Sequence, residues 1–216
     1  MKNSFRAILL AVTCMASAMF INSVSAQEQG ARLTPTFGVK GGVNLSNMYV
    51  NNVTNENMKV GANVGFFAKL PVTRGFSVQP EIAWSMKGAQ ETYNNVFGSG
   101  TYRFNLNYIE IPVAAVFNVT SNFNLNAGPY VAFLASAKVK DVDSKGNING
   151  VSELNTSDFR SPDYGLFGGV GFDVGNVTLG ARYTHGLQEI GKSGLSGNVT
   201  QNSKNSVFSF FVGFGL

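Results

Sequence analysis

The segment FSVQPEIAWSMK, residues 76–87, decides how the rest of this 216-residue chain is read. Phe76, Val78, Pro80, Ile82, Trp84 and Met86 fall on one face of an extended chain, and Ser77, Gln79, Glu81, Ala83, Ser85 and Lys87 on the other. Successive side chains of a strand point to opposite faces, so this period-two pattern predicts a strand with one apolar and one polar side. The same pattern recurs on both sides of it. Upstream, Phe37 to Ser46 alternates, and so does Lys59 to Leu70, with Val60, Ala62, Val64, Phe66, Ala68 and Leu70 on one face. Downstream, alternation runs through 102–119, 123–137, 164–174, 177–184 and 208–216, giving eight segments.

The fourth segment changes phase. Tyr102, Phe104, Leu106 and Tyr108 are even, whereas Ile109, Ile111, Val113, Ala115 and Phe117 are odd. One extra residue near Tyr108-Ile109, a β-bulge, would restore a continuous apolar face. Residues 111–137 carry no charge, yet Pro112, Pro129 and a Thr120-Ser121-Asn122 turn read as two strands rather than a membrane helix.

Connections alternate strictly between short and long. Residues 71–75, 120–122 and 175–176 are tight, whereas 47–58, 88–101, 140–163 and 188–205 are longer and polar. That is the plan of an all-β, eight-stranded antiparallel up-and-down transmembrane β-barrel with short periplasmic turns and long extracellular loops. Closure removes the sheet edges that a bilayer could not satisfy. Each segment matches the roughly 9–11 residues a tilted strand needs to cross. Phe37, Phe76, Tyr102, Tyr108, Phe123, Tyr164 and Tyr183 are candidates for the interfacial aromatic girdles.

Composition agrees. The chain is 44% hydrophobic but only 13% charged, with 25 Gly and 18 Phe, and a soluble barrel would carry many more charges on its outer face. The mean hydropathy of +0.05 is far too low for a bundle of membrane helices. No Gly-X-Y period supports collagen, and the apolar content argues against general disorder.

Lys2, Arg6, the apolar run 7–21 and Val24-Ser25-Ala26 form a secretory signal peptide, so residues 1–26 are expected to be removed. The run is shorter than the roughly 20 residues of a membrane span. Residues 27–35 are then an N-terminal periplasmic segment and 36–216 the barrel domain. Cys14, the single cysteine, leaves with the signal, so neither disulfides nor thiolate ligands are expected. Lys2 and Arg6 leave too, so sixteen basic residues become fourteen against twelve acidic, and no basic cluster marks a nucleic-acid partner.

The chain resembles the outer-membrane β-barrel domain proteins often called the porin family. The stretches that carry the likeness are FGVKGGVNLS (37–46), VQPEI (78–82), YIEIP (108–112) and ARYTHGL (181–187). The resemblance spans essentially all of the chain after the signal and implies a small outer-membrane barrel. Such barrels more often end in an aromatic residue, where this sequence has Leu216.

If the apolar face meets lipid, Lys40, Glu81, Lys87, Glu110, Asp173 and Arg182 point into the lumen. Lys40, Glu81 and Arg182 sit at similar heights above the short turns and Glu110 somewhat higher, so these four form the candidate lumen network. Eight strands enclose a bore that side chains can fill, and opposite charges there are expected to pair. A packed polar core and a membrane-structural or surface-interaction role are therefore expected, with a narrow porin-like channel for ions or small solutes as the alternative. The sole histidine, His185, lies near Glu189, Ser193 and Ser196 without a spacing that makes a nucleophile–base pair. No enzyme is expected. Asp141, Asp143, Ser144, Gly146 and Asn147 faintly follow a calcium loop, but Ser152 stands where its bidentate Glu belongs. No metal or cofactor is expected. The expected partners are outer-membrane lipids, the barrel-insertion machinery and an extracellular ligand held by loop 140–163, with the barrel a monomer.

Overall fold

The structure, a computed structural model, describes residues 33–49, 58–95, 98–143, 148–191 and 203–216. The expected signal peptide, residues 27–32 of the expected periplasmic segment, and Ser144, Gly146, Asn147, Ser193 and Ser196 lie outside them.

Ten strands are present among the described residues: β1 (Thr36–Tyr49), β2 (Lys59–Pro71), β3 (Phe76–Lys87), β4 (Gln90–Asn95), β5 (Gly98–Asn118), β6 (Phe123–Asp143), β7 (Ile148–Glu153), β8 (Asp163–Val174), β9 (Val177–Glu189) and β10 (Lys204–Gly215). Eight of them close a ring in the order β5-β3-β2-β1-β10-β9-β8-β6, with β6 returning to β5. All pairings in the ring are antiparallel. The first and last strands meet along Gly38↔Gly215 to Tyr49↔Lys204.

The distribution of polarity is inverted relative to a soluble protein. Phe66 is 65% exposed and Leu166 56%, whereas Glu81 is 2% exposed and Lys87 1%. Large apolar side chains facing out and charged ones facing in leave only a membrane barrel. No helix among the described residues is long and apolar enough to cross a membrane, and crossing is by strands. At the tight ends Gly175 takes φ +58°, the left-handed value that a two-residue hairpin requires.

Two of the expected loops contain strands. β5 and β6 have 21 residues each. At ~3.4 Å per residue that is about 70 Å, well beyond what a bilayer needs. Their outer halves rise above the barrel as a ribbon. β4 continues the line of β3 along β5, and β7 covers the free side of β6. Residues 88–101 and 140–163 were thus expected as loops but supply the flanks of a four-stranded extracellular sheet. The reason is pairing: a rising ribbon offers two edges of unpaired backbone groups, and QETYNN (90–95) and INGVSE (148–153) satisfy them without an apolar face of their own.

The expected bulge is real in position but belongs to the other strand. β3 and β5 stay in register from Phe76↔Phe117 to Lys87↔Leu106. Across the β5–β6 pair, Asn107 faces Ser136 and Tyr108 faces Leu134, so the extra residue is Ala135 of β6. Even-numbered residues of β5 therefore stay inside, and Leu106 and Tyr108 are fully buried in the lumen. Tyr108 is not a girdle residue. Phe37, Tyr164 and Tyr183 are exposed on the outer wall.

The lumen as candidate functional site

Alternation aims one residue in two of every strand at the barrel axis, and the inward set is polar through most of the bore. It assembles into layers. Nearest the short turns, Asp173 of β8 accepts from Thr178 Oγ1 of β9 and, at 3.0 Å, from Asn124 Nδ2 of β6. Lys69 of β2 lies 3.5 Å from the same carboxylate.

Above this, Glu81 of β3 is the centre of a second layer. Arg182 of β9 donates through Nη1 and Nη2 to its two oxygens at 2.9 and 3.0 Å, the bidentate geometry that a guanidinium fork provides. Lys40 of β1 donates to the same carboxylate, and Gln79 Nε2 to its Oε1 at 2.9 Å. Two rings pack on the cations: Phe167 lies 4.1 Å from the Arg182 guanidinium carbon, and Phe211 4.8 Å from Lys40 Nζ. The Phe211 ring fits because Gly180 faces it across β9–β10, where a Cβ would come within 2.2 Å of the ring.

A third layer sits higher. Lys87 of β3 pairs with Glu110 of β5 and lies 3.9 Å from Asp163 of β8. Asp163 Oδ2 accepts from Tyr130 Oη at 3.1 Å and Asn205 Nδ2 at 2.9 Å. The Lys87 ammonium lies 4.5 Å from the Tyr130 ring centre and 5.3 Å from that of Tyr108.

The bore above is apolar. Phe159 and Ile190, 3% and 2% exposed, pack with Leu106 and Ala137. Residues 154–160 continue the wall between β6 and β9, held by Leu154 N to Ala137 O at 2.9 Å, Arg160 N to Ile190 O at 2.8 Å and a bridge of Phe159 to Gly191. Arg160 also pairs with Glu189 at 3.3 Å.

Two cavities in the bore are lined by described residues. One of about 270 Å³ lies at the short-turn end, between Asp173 and the Glu81 layer. The other, about 30 Å³, lies between the Glu81 and Lys87–Glu110 layers and has room for a water or two.

Of the four network residues read from the sequence, Lys40, Glu81 and Arg182 meet directly. Glu110 does not join them; it pairs with Lys87 and borders the small cavity shared with Lys40 and Arg182. Asp163 was missed because it ends the polar stretch 140–163. Its parity gave it away, since Asp163, Gly165, Phe167, Gly169, Gly171 and Asp173 share one face. His185 points to the outer side, its ring 6.4 Å from that of Tyr183, and Glu189 is engaged by Arg160. Asp141 and Asp143 lie within β6, paired in register with Tyr102 and Gly100. No group of three His, Cys, Asp or Glu that could hold a metal ion occurs among the described residues.

Comparison with known proteins follows the same lines. No curated protein matches the chain significantly. Among solved structures, Neisserial surface protein A superposes with a TM-score of 0.50 at 13% identity, covering 84% of this chain and 98% of that one. The attachment invasion locus protein of Yersinia pestis, solved with the heparin analogue sucrose octasulfate, gives 0.49 at 11% identity, covering 84% and 99%. OprG of Pseudomonas aeruginosa gives 0.39 at 14%, covering 88% and 99%. The model of the outer membrane protein beta-barrel domain family matches residues 26–191. With an apolar wall, a closed ring and this match, the chain belongs to the outer membrane protein β-barrel domain family and resides in the outer membrane.

Proposed function

We propose that this barrel is a closed, non-catalytic platform that anchors an extracellular contact surface in the outer membrane. One observation carries the reading: stacked ion-pair layers cross the bore with an apolar cluster above them, while β5 and β6 continue far beyond the membrane. The gap between the Glu81 and Lys87–Glu110 layers, about 30 Å³, has room for a water or two but not for a solute.

The ribbon supports a role in contact. Arg103 of β5 directly faces Lys140 of β6. Like charges opposite one another weaken a sheet, and neither residue makes an ion pair among the described residues. Lys59, at the outer end of β2, is repelled by both. An acidic partner would relieve this arrangement, so the contact surface is read as one for acidic groups outside the cell.

The test is ion conductance of the refolded mature chain in a planar bilayer, with insertion verified separately. Silence supports the closed platform. Steady, discrete channels in the wild-type chain that change with Arg182→Ala would overturn it in favour of a narrow channel.

A further inference from the structure

The cavity of about 270 Å³ at the periplasmic end is lined by three cations, Lys40, Lys69 and Arg182, by one side-chain carboxylate, Asp173, and by the last residue, Leu216. Asp173 is already engaged by Lys69, Thr178 and Asn124. Lys40 and Arg182, 8% and 6% exposed, share the one carboxylate of Glu81, two cations to one acid within that layer. Glu110 is bound to Lys87 and borders only the small cavity on the far side. An ammonium and a guanidinium on one carboxylate have more donors than that acid can accept, and their layer borders a space of molecular size.

We propose that this vestibule is a binding site for a small oxyanion, a carboxylate or phosphate of a few heavy atoms, entering from the periplasm. Its oxygens would be taken by Arg182, Lys40 and Lys69 through charge-assisted hydrogen bonds, and Phe67 and Phe211 supply apolar walls. The volume is below that of ordinary drug-sized pockets, which sets the upper size limit. The site uses the periplasmic half of the bore alone, so it stands whether or not the extracellular ribbon binds anything.

The experiment is calorimetric titration of the refolded mature barrel, in nanodiscs of zwitterionic lipid at low ionic strength, with sodium succinate and with sodium phosphate. One saturable site per barrel for at least one of the two is expected. Gly213 lines the vestibule, and a Cβ there meets only ordinary contacts, 3.6 Å to Phe67 and Thr178 and 3.9 Å to Lys40. Gly213→Leu therefore fills the space without altering a charge and should abolish binding. Lys69→Gln, nearer the mouth, should weaken it about tenfold, the loss of one charged hydrogen bond. Absence of binding by the wild-type barrel, or affinity unchanged in Lys69→Gln or in a folded Gly213→Leu, would overturn the site.

Discussion

Charged residues face one another in two regions of this molecule, with opposite outcomes. In the bore, Lys40 and Arg182 converge on Glu81, and Lys87 on Glu110 and Asp163. On the ribbon, Arg103 converges on Lys140. The difference follows from the surroundings. Between the layers a charge has no bulk water, and leaving it without a partner costs several kcal/mol. On the ribbon water screens the repulsion to a fraction of a kcal/mol, and the sequence there is free to serve something other than its own stability.

The largest effect that could break this contrast is at Glu81. Glu81→Ala leaves two buried cations with no carboxylate, and should destabilise the barrel by about 4 kcal/mol, within the range for breaking buried pairs. Urea unfolding in lipid vesicles measures it, with the gel shift of the folded barrel as the readout. A cost under about 1 kcal/mol would mean that water reaches this layer freely and that the bore is no different from the ribbon.

The second test addresses the joint between the regions. Phe159 is buried in the apolar cluster where bore gives way to ribbon. Phe159→Ala removes a buried ring, worth about 3 kcal/mol in a packed site. Because the layers below remain, the expected result is local: residues 154–160 become accessible to protease about a hundredfold more often while conductance stays silent. Channels opening in this variant would show that the apolar cluster, and not the ion pairs, closes the bore.

These elements were unequally legible in the sequence. Lipid enforces strict alternation, so the strands from Phe37 to Leu45 or Phe76 to Met86 announce both their existence and their orientation. Lys40, Glu81 and Arg182 could be brought together by counting residues from the short turns, since antiparallel register fixes height. The ribbon has no lipid to satisfy, and its strands 90–95 and 148–153 are held by neighbours' backbone groups, which leave no periodic trace. The bulge was assigned to Tyr108-Ile109 because the apolar phase changes there. The phase change instead marks where the interior turns from polar to apolar, and the inserted residue is Ala135, small enough to leave no signal.

A third test compares the two bore layers. Asp163 shares Lys87 with Glu110 and also accepts from Tyr130 and Asn205. Asp163→Asn keeps an accepting oxygen and leaves Lys87 its closer carboxylate, so about 1 kcal/mol is expected, the scale of one hydrogen bond. If this variant proves as costly as Glu81→Ala, each carboxylate is individually required, and the count of acids per cation ceases to explain the difference between layers.

The smallest effect carries the opposite sign. Arg103→Glu places a carboxylate directly across from Lys140. A cross-strand pair of opposite charge is favourable by a few tenths of a kcal/mol where a like pair is unfavourable, so the ribbon should gain about 0.5 kcal/mol. Slower hydrogen exchange of the β5 and β6 amides above Leu106 would register the gain. Capture of the barrel on dextran sulfate should fall in the same variant, because the surface has lost one cation and committed another. A residue whose replacement stabilises its own sheet while weakening contact with an acidic surface is the pattern expected where local stability is given up for binding. If exchange slows and capture is unchanged, Arg103 and Lys140 repel each other to no purpose, and the acidic-partner reading of the ribbon fails.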